Sequence, residues 1–227
     1  MIKAIFWDND GILVETEQFY FQAMQETLGE VGIDLSLAEF IRTTLDAGKS
    51  CLELAAQRGL DAATIAILRE RKDQRYAQLL ASGIAPRPGV RRALTELHTK
   101  VRMAVVTSSQ RHHFELIHRR NGLLDLFDFI LTREDFVLTK PHPEPYLKAL
   151  GRSGLSAGEC LVIEDTVRGL QSALCAGLRC IVVPSSLAPE KEFPGAWRVL
   201  PDLDAVTDFL LAEPDLMAWP ESAHPTP

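Results

Sequence analysis

Short uninterrupted apolar runs and longer stretches of helical spacing alternate along this chain, and their order outlines a fold. Residues 2–7 are apolar except for Lys3, the pattern of a strand buried on both faces of a parallel sheet, and Asp8, Asn9 and Asp10 follow at its C-terminal end. From Thr16 the period changes. Tyr20, Ala23, Met24, Thr27, Leu28 and Val31 recur at helical spacing, with Thr16 placed to cap the helix. Ser36 with Glu39 reads as a capping box ahead of Phe40 and Ile41, and residues 52–57 and 62–80 keep the helical character. No strand pattern interrupts this region.

Two prolines and a glycine in the stretch 85–90 stop one helix before the next begins at Val90. Beyond it, residues 103–106, 129–131, 161–163 and 180–183 are short apolar strand candidates separated by helical stretches of crossover length. The expected fold class is therefore α/β, a doubly wound, Rossmann-like parallel sheet with an all-α block inserted after the first strand. The expected division is a core of residues 1–14 and 86–212, a helical cap of residues 15–85 with hinges near Val14 and Arg87, and a loosely ordered tail of residues 213–227.

Composition narrows the partners. A chain of 227 residues with 46% hydrophobic content can bury a full core. Its net charge of -7 argues against a broad polyanion-binding surface, so no nucleic-acid partner is expected. No segment has the length of a signal peptide core or of a membrane span, so a soluble, cytoplasmic protein is expected. Cys51, Cys160, Cys175 and Cys180 lack metal-ligand spacing and read as small buried apolar residues. His112 and His113 are adjacent on a helix and point in different directions, which disfavours a metal site there. The mixed-charge run 69–75 reads as a solvated helix face without a function.

In an open parallel sheet, ligands bind beyond the carboxyl ends of the strands, so the residues that follow each strand form one constellation. Four groups qualify: Asp8-Asn9-Asp10-Gly11, Thr107-Ser108-Ser109, Lys140-Pro141 and Glu164-Asp165. Carboxylates converging there raise one another's pKa unless a cation neutralises them. Magnesium, which takes carboxylate oxygens, water and substrate phosphate, suits this donor set better than zinc. Lys140, the Thr107 hydroxyl and backbone donors around Ser108 supply what a phosphoryl group needs. Asp8 and Asp10, two residues apart, can divide the labour, one attacking phosphorus and the other exchanging protons with the leaving oxygen.

These residues resemble the haloacid dehalogenase-like hydrolases, a superfamily composed mostly of phosphatases. Asp8-Asn9-Asp10-Gly11-Ile12-Leu13 is similar to the first motif, Val105-Val106-Thr107 to the second, Lys140-Pro141-His142-Pro143 to the third, and Ile163-Glu164-Asp165-Thr166 with Gly169 to the fourth. The resemblance implies Asp8 as nucleophile and metal ligand, and Asp10 as general acid and base with its carbonyl on magnesium. It further implies Asp165 as metal ligand, Glu164 as an additional or outer ligand, Thr107 and Ser108 as phosphate holders, and Lys140 bridging nucleophile and phosphate. The helical block resembles the cap of the subgroup containing β-phosphoglucomutase and small sugar-phosphate phosphatases.

Three departures from that subgroup stand out: Asn9 where it has a bulky apolar residue, Glu15 where it has Asp, and Cys51 where the mutase has an arginine for the substrate's distal phosphate. Gly48, Lys49 and Ser50, just before Cys51, are the cap's substrate candidates. The expected activity is hydrolysis of a small phosphorylated metabolite through an aspartyl phosphate on Asp8. A sugar phosphomutase is the alternative, disfavoured by Cys51, and a non-catalytic phosphoacceptor module is a third reading, disfavoured by the helical insertion.

Overall fold

The apolar runs pair with one another because buried backbone amides and carbonyls must find partners. In the computed structural model, which describes residues 1–187 and 191–212, the strands are β1 (Ala4–Trp7), β2 (Arg102–Val106), β3 (Phe129–Leu131), β4 (Cys160–Glu164), β5 (Arg179–Val182) and β6 (Arg198–Val199). They form one parallel sheet in the order β3-β2-β1-β4-β5-β6. Trp7 at the end of β1 aligns with Val105 on one side and Ile163 on the other. This register makes the residues after β1, β2 and β4 emerge side by side, at the point where the strand order reverses.

The period of two along each strand divides the core into two layers. Ile5, Trp7, Met103, Val105, Leu161 and Ile163 share one layer, and Phe6, Ala104, Val106, Val162 and Cys180 share the other. Four α-helices lie between β1 and the proline-rich boundary at residues 85–90: α1 (Glu17–Gly29), α2 (Leu37–Phe40), α3 (Glu53–Gln57) and α4 (Ala62–Ala81). They are followed by α5 (Val90–Leu97), α6 (Arg111–His118), α7 (Glu144–Ser153), α8 (Val167–Cys175) and α9 (Leu203–Leu211). Helices α5 and α9, with Phe114 of α6, cover the Trp7 layer; Tyr146 of α7 and Leu170 of α8 cover the Phe6 layer. Fully burying one side chain of the size of Phe6 is worth about 1.5–3 kcal/mol, so both layers contribute strongly.

The inserted helices have an apolar cluster of their own, built from Met24, Leu28, Phe40, Cys51, Leu52, Ala55 and Leu68. A second cluster of Val14, Ala23, Tyr76, Leu80, Ile84 and Ile117 joins them to α6. The two connections into and out of the insertion run together. Val14 and Pro86 form an antiparallel bridge, and the Arg87 amide donates to the Leu13 carbonyl at 3.0 Å. The Arg87 guanidinium donates to the Gly11 carbonyl and lies 3.4 Å from the Glu15 carboxylate.

Several local expectations are corrected. β1 begins at Ala4, although Ile2 is also buried. β6 is a two-residue edge strand with both side chains exposed, so no apolar run announces it. Ser36 caps α2 by accepting from the Glu39 amide, but that helix gives way after four residues to a wider π-type turn, Ile41–Asp46. Cys51, Cys160 and Cys180 are buried as expected, whereas Cys175 is exposed. The tail expected at 213–227 lies outside the described residues. Among the described residues, no helix is long and apolar enough to cross a membrane.

Candidate active site

The loop after β1 is wound tightly around one carbonyl. The Asn9 oxygen accepts from the amides of Ile12, Leu13 and Val14 at 3.2, 2.8 and 3.2 Å. Gly11 takes φ +85°, where other residues are strained, and a Cβ there would lie 1.8 Å from Asp165 Oδ2. Glycine thus turns the chain and lets it approach the end of β4. The Asn9 side chain points into the core, its Oδ1 2.7 Å from His118 Nε2, so a polar pair fills the space where the resembling subgroup has an apolar side chain.

Lys140 reaches this loop from the segment before α7. Its buried Nζ donates to Asp8 Oδ1 at 2.5 Å, Glu164 Oε1 at 2.6 Å and the Val106 carbonyl at 2.8 Å, and it sits 4.9 Å from the centre of the Tyr146 ring. The Tyr146 hydroxyl donates to the same Glu164 oxygen at 2.7 Å. Burial alone would disfavour the ammonium, but Asp8 and Glu164 outweigh it and raise the Lys140 pKa.

Asp8, Glu164 and Asp165 offer carboxylate oxygens that all lie within 4.8 Å of one another. Three carboxylates against the single ammonium of Lys140 leave two negative charges uncompensated in a buried site. Burial pushes Asp8 up to about 8; Lys140 pulls against this, and Glu164 and Asp10 push with it. Burial also holds Asp165 well above the usual carboxylate range, with Glu17, Asp8 and Glu164 adding to the rise, and its Oδ2 has no hydrogen-bond partner among the described residues. An orphaned buried oxygen, hard donors only and a deficit of two positive charges fit a divalent cation such as magnesium.

Asp10 is turned away from that cluster. Its Oδ1 accepts from the Thr16 hydroxyl, and its Oδ2 accepts from Ser109 Oγ at 2.6 Å and Thr107 Oγ1 at 3.2 Å. Thr16 stands at the N-cap position of α1 but makes no side-chain cap, because its hydroxyl is spent on Asp10. The Asp10 carboxylate is therefore no member of the ligand cluster, and Thr107 braces Asp10. The buried Ser108 hydroxyl has no partner among the described residues, which leaves it free for a ligand.

These groups open into a crevice of about 360 Å³ between the sheet and the insertion, within the size range of small-molecule sites. Gly48, Lys49 and Ser50 line it, while Cys51 is fully buried in the insertion's own core. The crevice also holds residues that sequence reasoning passed over: Glu17, Lys72, Asp73, His113 and Arg168. Glu17 accepts from the Ser185 hydroxyl, and burial, its largest influence, raises its pKa. Lys72 corrects the reading of run 69–75 as a solvated face. It is only 6% exposed, pairs with Asp73 at 2.5 Å and lies 4.6 Å from the Tyr20 ring centre. The signal was present, since Leu68, Lys72, Tyr76 and Leu80 form an i, i+4 stripe on α4 and all are buried.

His113 packs edge-on against Tyr76 at 4.8 Å between ring centres, and the His112 ring lies 3.8 Å from it, so these neighbours do not diverge as expected. Burial pushes His113 and His118 down to about 4, with His112 assisting at His113 and Asp10 opposing at His118. An unfolded histidine titrates near 6.5, so between about pH 6.5 and 4 the unfolded chain binds more protons. Stability from these two groups is complete above pH 6.5 and is lost as the pH falls toward 4, on the order of 1–3 kcal/mol for each. In NMR titrations both imidazoles are expected to stay neutral down to pH 5; protonation of either near 6.5 would contradict this.

The sequence model described as haloacid dehalogenase-like hydrolase matches residues 5–183. Protein CbbY of Rhodobacter capsulatus is 34% identical over 226 residues, which cover 93% of this chain and 98% of that protein. A phosphoglycolate phosphatase of Pectobacterium atrosepticum is 30% identical over 79% of each chain. The crystal structure of a mutant CbbY from Rhodobacter sphaeroides in complex with xylulose-(1,5)bisphosphate superposes with a TM-score of 0.77 at 30% identity, covering 89% of this chain and 95% of the other.

Proposed function

Because this chain belongs to the haloacid dehalogenase-like hydrolases, most of which cleave phosphate esters, we propose that it hydrolyses a small phosphorylated sugar through an aspartyl phosphate on Asp8. The observation that carries the reading is the placement of Asp8 between Lys140 and the orphaned oxygen of Asp165. Similarity to CbbY and to a phosphoglycolate phosphatase supports a phosphorylated metabolite as substrate.

Asp8 attacks phosphorus, and the sugar oxygen leaves with a proton supplied by Asp10. Asp10 then takes a proton from water as that water attacks the aspartyl phosphate, which releases phosphate and restores Asp8. The hydroxyls of Thr16, Thr107 and Ser109 fix the Asp10 carboxylate for both transfers. Lys140 holds one Asp8 oxygen in place and sets a positive charge beside the phosphoryl group, while Ser108 offers an unused hydroxyl. Magnesium would be held by Asp8 and Asp165, with Glu164 at the edge of the site and the Asp10 carbonyl as a further donor, and would supply charge neutralisation for the incoming phosphate. We read residues 15–85 as a cap that closes the crevice against bulk water.

Purified protein incubated with sugar monophosphates, sugar bisphosphates and phosphoglycolate is expected to release phosphate in magnesium buffer and to stop when the metal is chelated. Absence of release from every ester, or full activity in excess chelator, would overturn the proposal.

A further inference from the structure

The loop that carries Asp8 and Asp10 is held from the core as well as from the crevice. On the crevice side, the hydroxyls of Thr16, Thr107 and Ser109 fix the Asp10 carboxylate. On the core side, Asn9 turns its side chain inward, where Oδ1 meets His118 Nε2 at 2.7 Å. Asn9 is fully buried and His118 is 2% exposed. Burial keeps this imidazole neutral, so it carries a single N–H. An amide oxygen can only accept, hence that proton sits on Nε2 and is donated to Asn9.

The pair gains little stability. Its one hydrogen bond leaves Asn9 Nδ2 and His118 Nδ1 buried without partners among the described residues, and two such orphans outweigh a single bond. An apolar side chain, which the resembling subgroup has at this position, would fill the space with neither orphan. What the polar pair adds is direction, because a hydrogen bond fixes distance and angle where packing alone lets surfaces slide. The frame behind it is rigid. His118 ends α6, its ring centre 4.5 Å from that of Phe114, and its neighbour Ile117 packs into the cluster of Val14, Tyr76 and Leu80. Ser109, just before the same helix, donates to Asp10 Oδ2. One helix thus grips two consecutive residues of the loop, Asp10 from its N-terminal end and Asn9 from its C-terminal end.

We propose, on the phosphatase reading above, that His118 is a positioning residue: through Asn9 it sets the angle of the chain between nucleophile and acid-base residue, and so aims the Asp10 carboxyl at the leaving oxygen. His118 does not line the crevice and acts only through Asn9. When the bond is lost, the Asn9 carbonyl still gathers the amides of Ile12, Leu13 and Val14, and Lys140 still holds Asp8, so the nucleophile stays in place. Asp10 is the group that shifts. A misplacement of about 1 Å is enough to lower a proton transfer by roughly 100-fold.

A proton donor matters only where the leaving group needs a proton, and this separates positioning from mere structure. The alkoxide of a sugar must be protonated as it departs, whereas p-nitrophenolate and acetate leave without a proton. The quantity measured is kcat/KM, which covers the steps through departure of the leaving group, for the sugar phosphate that the unmodified protein cleaves fastest and for p-nitrophenyl phosphate and acetyl phosphate. His118→Leu is expected to reduce the ratio of kcat/KM, sugar ester to activated ester, by about 10- to 100-fold. Asp10→Ala, which removes the donor itself, sets the limit of that reduction. His118→Gln, whose amide nitrogen can take the place of Nε2, is expected to restore most of the ratio. Should His118→Leu give no soluble protein, His118→Asn, too short to reach Asn9, replaces it. A variant that merely folds poorly lowers every rate alike. A ratio unchanged within twofold, or His118→Gln as impaired as His118→Leu, would therefore overturn the positioning role, whereas failure of the unmodified protein to release phosphate from any ester would overturn the phosphatase reading instead.

Discussion

Replacing Asp8 by Asn is expected to lower kcat by about 10⁴-fold or more while leaving the protein folded, because the reaction loses its nucleophile and no other carboxylate occupies that place. Asn is nearly isosteric, and its Oδ1 can still accept from Lys140, which also keeps Glu164 at 2.6 Å. The substitution removes one of three crowded carboxylates from a site short of positive charge, so the unfolding temperature should hold or rise. Two measurements check this. Phosphate release should fall to background, and mass spectrometry of acid-quenched protein should find a phosphoryl adduct on the peptide containing Asp8 in the unmodified enzyme only. More than a tenth of normal activity in Asp8→Asn would show that phosphorus is attacked by another group.

Lys140→Met is expected to damage both activity and stability. Lys140 is the sole ammonium touching Asp8 and Glu164 among the described residues, and removing one partner of a buried ion pair costs about 3–5 kcal/mol because the other charge is left stranded. For a chain of this size that loss lowers the unfolding temperature by roughly 10 °C. Without Lys140, which pulls the already raised Asp8 pKa down, that pKa rises further in the folded state. The folded protein then binds more protons than the unfolded chain, so the variant should regain stability as the pH falls from 8 to 6. Added magnesium should also raise its unfolding temperature, since a ligand of the folded state stabilises by mass action. A variant as stable as the parent at pH 8 would show that the charges at Asp8 and Glu164 are relieved in some other way.

Much of this molecule is written in short-range pattern. The apolar runs ending at Trp7, Val106 and Ile163 are buried on both faces as strands of one sheet, and its register brings the acidic and hydroxyl residues after them together. The contacts of Thr16, Tyr146 and Arg168 were not legible in the same way. Thr16 reads locally as a cap, yet its hydroxyl is taken by Asp10, a contact created only when the insertion starts where it does. Tyr146 reads as core, and only the fold shows its hydroxyl on Glu164. Arg168 reads as an ordinary residue on an exposed helix turn; its setting depends on Gly48, 120 positions earlier in the chain and on the opposite wall of the crevice. Lys72 differs from these, since its place in the stripe of Leu68, Tyr76 and Leu80 was visible and was hidden only by its charged neighbours.

The paired connections at Val14 and Pro86 bear on how such an enzyme can be recombined with its relatives. Thr16 and Arg87, which flank the helical block, reach back to Asp10 and to the Gly11 carbonyl. A graft spliced inside residues 17–81 exchanges the recognition surface and keeps the native grip on the loop that carries the chemistry. A graft spliced a few positions further out imports foreign side chains into that grip, so the natural unit of exchange is shorter than the insertion itself.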